Sequence, residues 1–227
     1  MKILSIQSAV AYGHVGNSAA VFPLQRIGVE VLPVYTVNFS NHTGYGAWRG
    51  PLMDPADVAD VVTGIGEREA FAEIDAVLSG YQGGEGIGAT ILDAVAAVKA
   101  VNPSAIYACD PVMGNAKSGC FVHESIPVLL REKVVPQADL ITPNQFELGF
   151  LTDTEPQTLE ETLASVDAAR AMHVFHMIFL RTWRDLTQLR HFAGKFIDIA
   201  HGEVDFRFLR RRQQVQYRIG RAAHGDI

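Results

Sequence analysis

Residues 2–37 read KILSIQSAVAYGHVGNSAAVFPLQRIGVEVLPVYTV, and this stretch decides the fold. Lys2–Gln7 is a short apolar strand. Gly13-His14-Val15-Gly16-Asn17 has the composition of a turn. Ser18–Ile27 continues as a helix, and Val29–Val37, rich in β-branched residues, is the next strand.

The same alternation runs on through residue 172. Asn38–Pro51 is polar and Gly-rich, hence a loop. Asp54-Pro55 opens a helix, with Asp as N-cap and Pro at the first helical position, that reaches about Ile65. Ala76–Ser79 is a brief buried strand. Ile87–Val101 is a helix with Ile87, Ile91, Leu92, Val95 and Val98 on one face. Ala105–Cys109 is a strand, Glu124–Lys133 a helix and Asp139–Thr142 a strand. Asn144 with Glu147, and Thr158 with Glu161, have the spacing of capping boxes, the second ahead of a helix over Leu159–Arg170. Such alternation implies an α/β fold: a mostly parallel central sheet flanked by helices on both faces. Ligands of such sheets sit at the carboxyl ends of the strands.

The chain has 227 residues, 48% of them apolar and 19% charged, which suits one large α/β domain or two small ones and excludes a largely disordered protein. Mean hydropathy is +0.11, and no apolar run has the length of a membrane span. Ser5, Gln7 and Ser8 interrupt the apolar N-terminus too early for a signal peptide. Two cysteines, Cys109 and Cys120, cannot build a disulfide framework, so both are expected free and the expected location is cytoplasmic. The net charge of −6 argues against a general nucleic-acid binder. That charge is unevenly placed. Residues 1–172 carry 9 Lys+Arg against 20 Asp+Glu, whereas residues 173–227 carry 10 against 5 and five of the eight histidines. Beyond Met172 only Val174–Leu180 reads as a strand, and Arg207–Arg212 reads as a solvated basic stretch. The break separates a first part, 1–172, from a basic, atypical segment, 173–227.

Every polar cluster of chemical interest follows a predicted strand. Ser8 follows the first, with Gly13 and Gly16 ahead of the helix. Ser40-Asn41-His42-Thr43-Gly44-Tyr45-Gly46 follows the second, Ser79-Gly80-Tyr81-Gln82-Gly83 the third, Asp110-Pro111-Val112-Met113-Gly114 the fourth, and Thr142-Pro143-Asn144-Gln145-Phe146-Glu147-Leu148 the fifth. Together they can line one cleft. Asp110 and Glu147 are oxygen donors suited to a hard cation such as Mg²⁺. The hydroxyls of Ser8 and Thr43 can bond a small aromatic alcohol, and Tyr81 can pack on its ring. Each also has a plainer reading: Asn144 and Glu147 as a helix cap, Asp110 as a turn residue, Tyr81 as packing, His14 and His42 as loop hydrogen-bonders. Gly84-Glu85-Gly86-Ile87-Gly88 reads better as the turn leading into a helix than as a phosphate loop.

In order and spacing these segments resemble the pyridoxal kinases. The resemblance is carried by Ile6-Gln7-Ser8, Tyr12–Ala20, Phe39-Ser40-Asn41-His42-Thr43 with Tyr45-Gly46, Ser79-Gly80-Tyr81, Cys109–Gly114, and Thr142-Pro143-Asn144 with Glu147-Leu148. It covers residues 1–172 and implies a ribokinase-like fold and ATP-dependent phosphorylation of the 5′-hydroxyl of pyridoxal in vitamin B6 salvage. By position, Ser8, Thr43 and Tyr81 are similar to the family's pyridoxal contacts. Asp110, Thr142 and Glu147 are similar to its nucleotide positions, with Asp110 and Glu147 toward Mg²⁺, directly or through water. The resemblance also implies a homodimer. Cys120, in what is expected to be a mobile loop over the cleft, is a candidate for reversible addition to the pyridoxal aldehyde, against the plainer reading of a loop Cys with no role.

The family continues with further strands and a glycine-rich segment ending in an Asp that takes the substrate proton. No such segment is recognisable after Met172. His224-Gly225-Asp226 is a coincidental match, so the catalytic base is left unassigned. Residues 173–227 read as an altered reading of the gene, such as a frameshift, or a diverged remnant, with a functional basic tail as the alternative. On this reading the fold is incomplete at its C-terminal side, which leaves apolar surface uncovered and the protein prone to aggregate. Two other functions remain open: a non-catalytic pyridoxal-binding relative, and a kinase of the hydroxymethylpyrimidine of thiamin synthesis, which the Phe39–Thr43 segment disfavours.

Overall fold

A computed structural model of the chain describes residues 1–172 and 177–178. The chain divides into Met1–Thr182 and Trp183–Ile227, and the described residues all lie in the first unit. Eight strands and six α-helices are described: β1 (Lys2–Tyr12), α1 (Asn17–Arg26), β2 (Glu30–Asn41), α2 (Pro55–Gly66), β3 (Ala76–Ser79), α3 (Ile87–Val101), β4 (Ile106–Cys109), β5 (Gly114–Asn115), β6 (Gly119–Cys120), α4 (Ser125–Leu129), β7 (Leu140–Ile141), α5 (Gln145–Thr152), α6 (Leu159–Met172) and β8 (Met177–Ile178). One sheet runs in the order β2-β1-β3-β4-β7-β8, all its pairs parallel. β5 and β6 form a separate antiparallel hairpin.

The sequence explains this order. β1 is buried continuously from Ile3 to Ser8, as a central parallel strand covered on both faces must be. Pro33, which has no N–H to donate, lies in β2 at the edge of the sheet. From β1 the chain crosses to β2 on one side, then builds β3, β4 and β7 on the other. Right-handed crossovers in opposite directions put α1 and α3 on opposite faces. The direction reverses between β1 and β3, which makes a crevice at their carboxyl ends.

Local signals set most boundaries. Asp54 accepts from Ala56 N at 2.8 Å and Pro55 opens α2. α3 begins after Gly86, whose φ of +83° suits glycine, and buries Ile87, Ile91, Val95 and Val98. The Gly84–Gly88 run is therefore a helix entry, with Gly84–Gly86 in the turn and Ile87 and Gly88 opening α3. Asn144 and Glu147 form a capping box on α5. Thr158 and Glu161 bond reciprocally ahead of α6, at 3.0 and 3.2 Å.

Most boundaries shift by a residue or two, and three elements differ more. β1 runs to Tyr12 rather than ending at Gln7, so Ser8 lies inside the strand and not behind it. Ser5 and Gln7 are tolerated there because the Ser5 hydroxyl donates to Asn17 at the start of α1 and accepts from the Gln7 amide. β2 continues to Asn41, because a segment at 49–53 bonds its outer edge through Ser40 N, Asn38 N and Met53 N. The helix expected over Glu124–Lys133 is α4 followed by a π-helical turn, Leu130–Val134, and a 3₁₀ turn, Val135–Gln137. The expected Val174–Leu180 strand is described at Met177–Ile178, paired with β7. The basic stretch at 207–212 and the segment 224–226 lie outside the described residues.

Candidate active site

The topology brings the predicted clusters to one edge of the sheet. Ser8 is in β1, Thr43 just beyond β2, Tyr81 beyond β3, Asp110 beyond β4 and Thr142 beyond β7. These five strands are consecutive neighbours.

Ser8 is buried at a break in register. The β1–β2 pairing passes from Gln7↔Tyr35 to Ala9↔Asn38, so Ser8 alone faces Thr36 and Val37. This is a bulge, a device that redirects side chains at the rim of a sheet. Gly16, with φ +51° and ψ −133°, packs on Ser8, and a Cβ there meets the Ser8 hydroxyl and carbonyl oxygens. Beneath it, Asn17 Nδ2 donates to the carbonyls of Ser5, Gln7 and Val34 at 3.1, 3.3 and 3.0 Å. Ser5 Oγ donates to Asn17 Oδ1 at 2.7 Å and accepts from Gln7 Nε2 at 2.9 Å. Ser18 Oγ donates to Val10 O and accepts from Val10 N, tying the end of β1 to α1.

Thr43 is half-buried and opens a 3₁₀ turn, Thr43–Tyr45, capped by His42. His42 Nδ1 accepts from Gly44 N at 2.9 Å, the loop role expected for it. Asn41 Nδ2 donates to the carbonyls of His42 and Ala47, closing the loop. Tyr45 meets Tyr12 edge to face at 5.8 Å and His42 at 5.6 Å, so aromatic rings border Thr43. Tyr81 packs against the buried cluster formed by Val10, Val37 and Phe39, and burial pushes its phenol pKa up. Thr36 Oγ1 donates to Tyr81 O at 2.6 Å.

The acidic side of the site is held by backbone donors. Asp110 N donates to Ser79 O at 2.9 Å and Thr142 N to Cys109 O at 3.1 Å, extending the ladder beyond the strands. Glu147 is 1% exposed and accepts from Met113 N at 3.2 Å and Asn144 N at 2.8 Å. Asn144 Nδ2 donates to Gly114 O at 2.8 Å. Glu147 thus caps α5 and also fixes the loop that follows Asp110. Burial pushes the Cys109 thiol up to about 12, and the charges of Asp110 and Glu147 add to that.

No group of three or more His, Cys, Asp and Glu that could hold a metal occurs among the described residues. Two carboxylates on neighbouring elements nevertheless fit Mg²⁺, which is bound through one or two carboxylates, waters and substrate phosphates. Both cysteines are free. Cys120 is exposed and lies in the short β5–β6 hairpin that follows the Asp110 segment. Sequence reasoning missed Thr36 and Asn17 as supports of the site. A Thr in a β-branched strand and an Asn in a turn carry no signal of a partner distant in sequence.

The chain matches known proteins along this part. A family profile described as phosphomethylpyrimidine kinase matches residues 74–183. The pyridoxal kinase PdxY of Leifsonia xyli is 78% identical over 172 residues, 76% of this chain and 61% of the relative. That of Corynebacterium diphtheriae is 65% identical over the same shares. The chain thus spans about three fifths of the length of these curated relatives. Among solved structures, the pyridoxal kinase of Leishmania donovani in complex with ADP and pyridoxamine is similar at a TM-score of 0.76 and 30% identity, covering 81% of this chain and 63% of that one. The pyridoxal kinase of Entamoeba histolytica is similar at 0.70 and 25%, covering 75% and 61%. The parallel sheet and its crossovers are those of the ribokinase-like fold. Over the residues it shares with these proteins, the chain is similar to the pyridoxal kinases in both sequence and fold.

Proposed function

We propose that this chain is built for ATP-dependent phosphorylation of the 5′-hydroxyl of pyridoxal, in salvage of vitamin B6. The observation that carries the reading is the alignment of Ser8, Thr43, Tyr81, Asp110 and Thr142 along the carboxyl ends of five adjacent parallel strands. On this reading Ser8 and Thr43 hydrogen-bond the pyridoxal ring substituents and Tyr81 packs on the ring. Asp110, Thr142 and, through water, Glu147 serve the nucleotide and Mg²⁺. When bound, Mg²⁺ neutralises phosphate charge during phosphoryl transfer. The chain's own part is to orient the alcohol and keep the carboxylates fixed. The ADP complex of the Leishmania relative supports ATP as the donor.

The proposal extends to organisation. Residues 1–172 carry the kinase part, and residues 173–227 are a compositionally distinct segment arising from an altered reading frame or a diverged remnant. The protein acts in the cytoplasm, as a homodimer, on a small molecule. Consistent with that, no helix among the described residues is long and apolar enough to cross a membrane.

A second reading, phosphorylation of a hydroxymethylpyrimidine, is favoured by the profile match over residues 74–183. The test is formation of pyridoxal phosphate by the purified full chain with ATP and Mg²⁺, beside calorimetric titration with pyridoxal and with hydroxymethylpyrimidine. Turnover of pyridoxal supports the proposal. Binding without turnover selects a non-catalytic pyridoxal-binding protein, preferential turnover of the pyrimidine selects the second reading, and no binding of either overturns all three.

A further inference from the structure

Thr36 is fully buried in β2, yet its hydroxyl leaves the strand to donate to Tyr81 O, 45 residues on, at 2.6 Å. β2 and β3 are not neighbours, since β1 lies between them. The bond therefore ties β2 to the loop that follows β3, across β1. It does so at the bulge, where Thr36 and Val37 together face Ser8. The carbonyl of Thr36 accepts from Met53 N at 3.1 Å, which holds the residue from the outer edge as well. Beyond Tyr81 the loop is pressed onto the same place. Gly83 has φ +82°, and a Cβ there meets Val37 Cγ1 at 2.5 Å and Thr36 O at 3.3 Å. Tyr81 also packs against the buried cluster of which Val37 is a member.

We propose that Thr36 is a positioning residue, whose hydroxyl, anchored at the bulge opposite Ser8, fixes Tyr81 relative to Ser8 so that the two can engage one planar substrate. The inference rests on the pyridoxal reading for its ligand, but not for its geometry. The two glycines that follow Gln82 give the loop little rigidity of its own, so its hold on β2, of which the cross-sheet bond is the polar part, is what orders it. An aromatic contact displaced by a fraction of an ångström loses orientation before it loses fold.

The test uses the full chain with Thr36→Val, which keeps the shape and removes the donor, Thr36→Ala as a smaller donor-free variant, and Thr36→Ser, which keeps the donor. Amide hydrogen exchange over residues 80–86 and calorimetric pyridoxal affinity are read for each. The expected result is faster exchange confined to 80–86 in the Val and Ala variants and unchanged exchange at 106–109. Pyridoxal affinity falls about 10-fold in both, the size of one buried hydrogen bond, and Thr36→Ser stays near wild type. Unchanged exchange and affinity in the donor-free variants overturns the inference. So does a Ser variant as impaired as Val, which shows that keeping the donor does not keep the loop in place. A wild-type chain that binds no pyridoxal overturns the functional reading instead, while the exchange data still judge Thr36.

Discussion

Replacing Asn17 by Ala removes a buried polar hub. One amide supplies two N–H donors to the carbonyls of Ser5, Gln7 and Val34 and one acceptor to Ser5 Oγ. Asn17 and Ser5 are 3% and 0% exposed, so water does not replace what is lost. At roughly 1 kcal/mol per hydrogen bond, three bonding positions give about 3 kcal/mol, and a stranded Ser5 hydroxyl acts in the same direction. Asn17→Asp is nearly isosteric but turns an oxygen toward three carbonyl oxygens, so it costs at least as much. The assay is urea unfolding with the slope compared between variants, so that a shift in midpoint reports stability alone. A loss below about 1 kcal/mol for Asn17→Ala refutes the claim that this amide lets β1 carry Ser5 and Gln7 inside the sheet.

Gly16→Ala forces a side chain into a backbone conformation reserved for glycine and against Ser8. It is expected to cost about 1–3 kcal/mol in the same unfolding assay. The two thiols differ in reactivity: exposed Cys120 reacts with a thiol reagent at pH 8, whereas Cys109, buried and held near 12, reacts only on unfolding, as counted by thiol titration. Backbone donors from Gln157 and Thr158 hold the Glu161 carboxyl below its ordinary 4.5. Its depressed pKa gives a stabilisation fully present above that value and lost as the pH falls through the native one. Acid melts of Glu161→Gln therefore lack this component, and an unchanged pH profile contradicts the assignment.

Much of the fold was legible in the sequence, for local reasons. β3 and α3 match the reading residue for residue because Gly80, Gly86 and Asn102 bound them with local turn chemistry. Both capping boxes were visible because they join residues three apart. What escaped the reading depends on partners distant in sequence. Gln7 and Ser8 looked like the end of a strand because the amide that accommodates the polar core, Asn17, belongs to the next element. Ser40 and Asn41 looked like loop because the segment that covers them follows eight residues later. Glu147 was legible as a cap, but its bond to Met113 N spans 34 residues and is set only by the fold. The strand-end clusters were the most legible part of the site, since alternation alone puts them on one edge.

The central claim is that pyridoxal binds at that edge, over the crevice between β1 and β3. Amide chemical-shift mapping of the full chain during titration with pyridoxal tests it most directly. The account predicts changes clustered at Ser8, Thr43–Tyr45, Tyr81–Gly83 and Asp110. Changes centred instead on the cavity at the opposite ends of β4 and β7, lined by Lys99, Ser104 and Asp139, or no changes at saturating pyridoxal, contradict it.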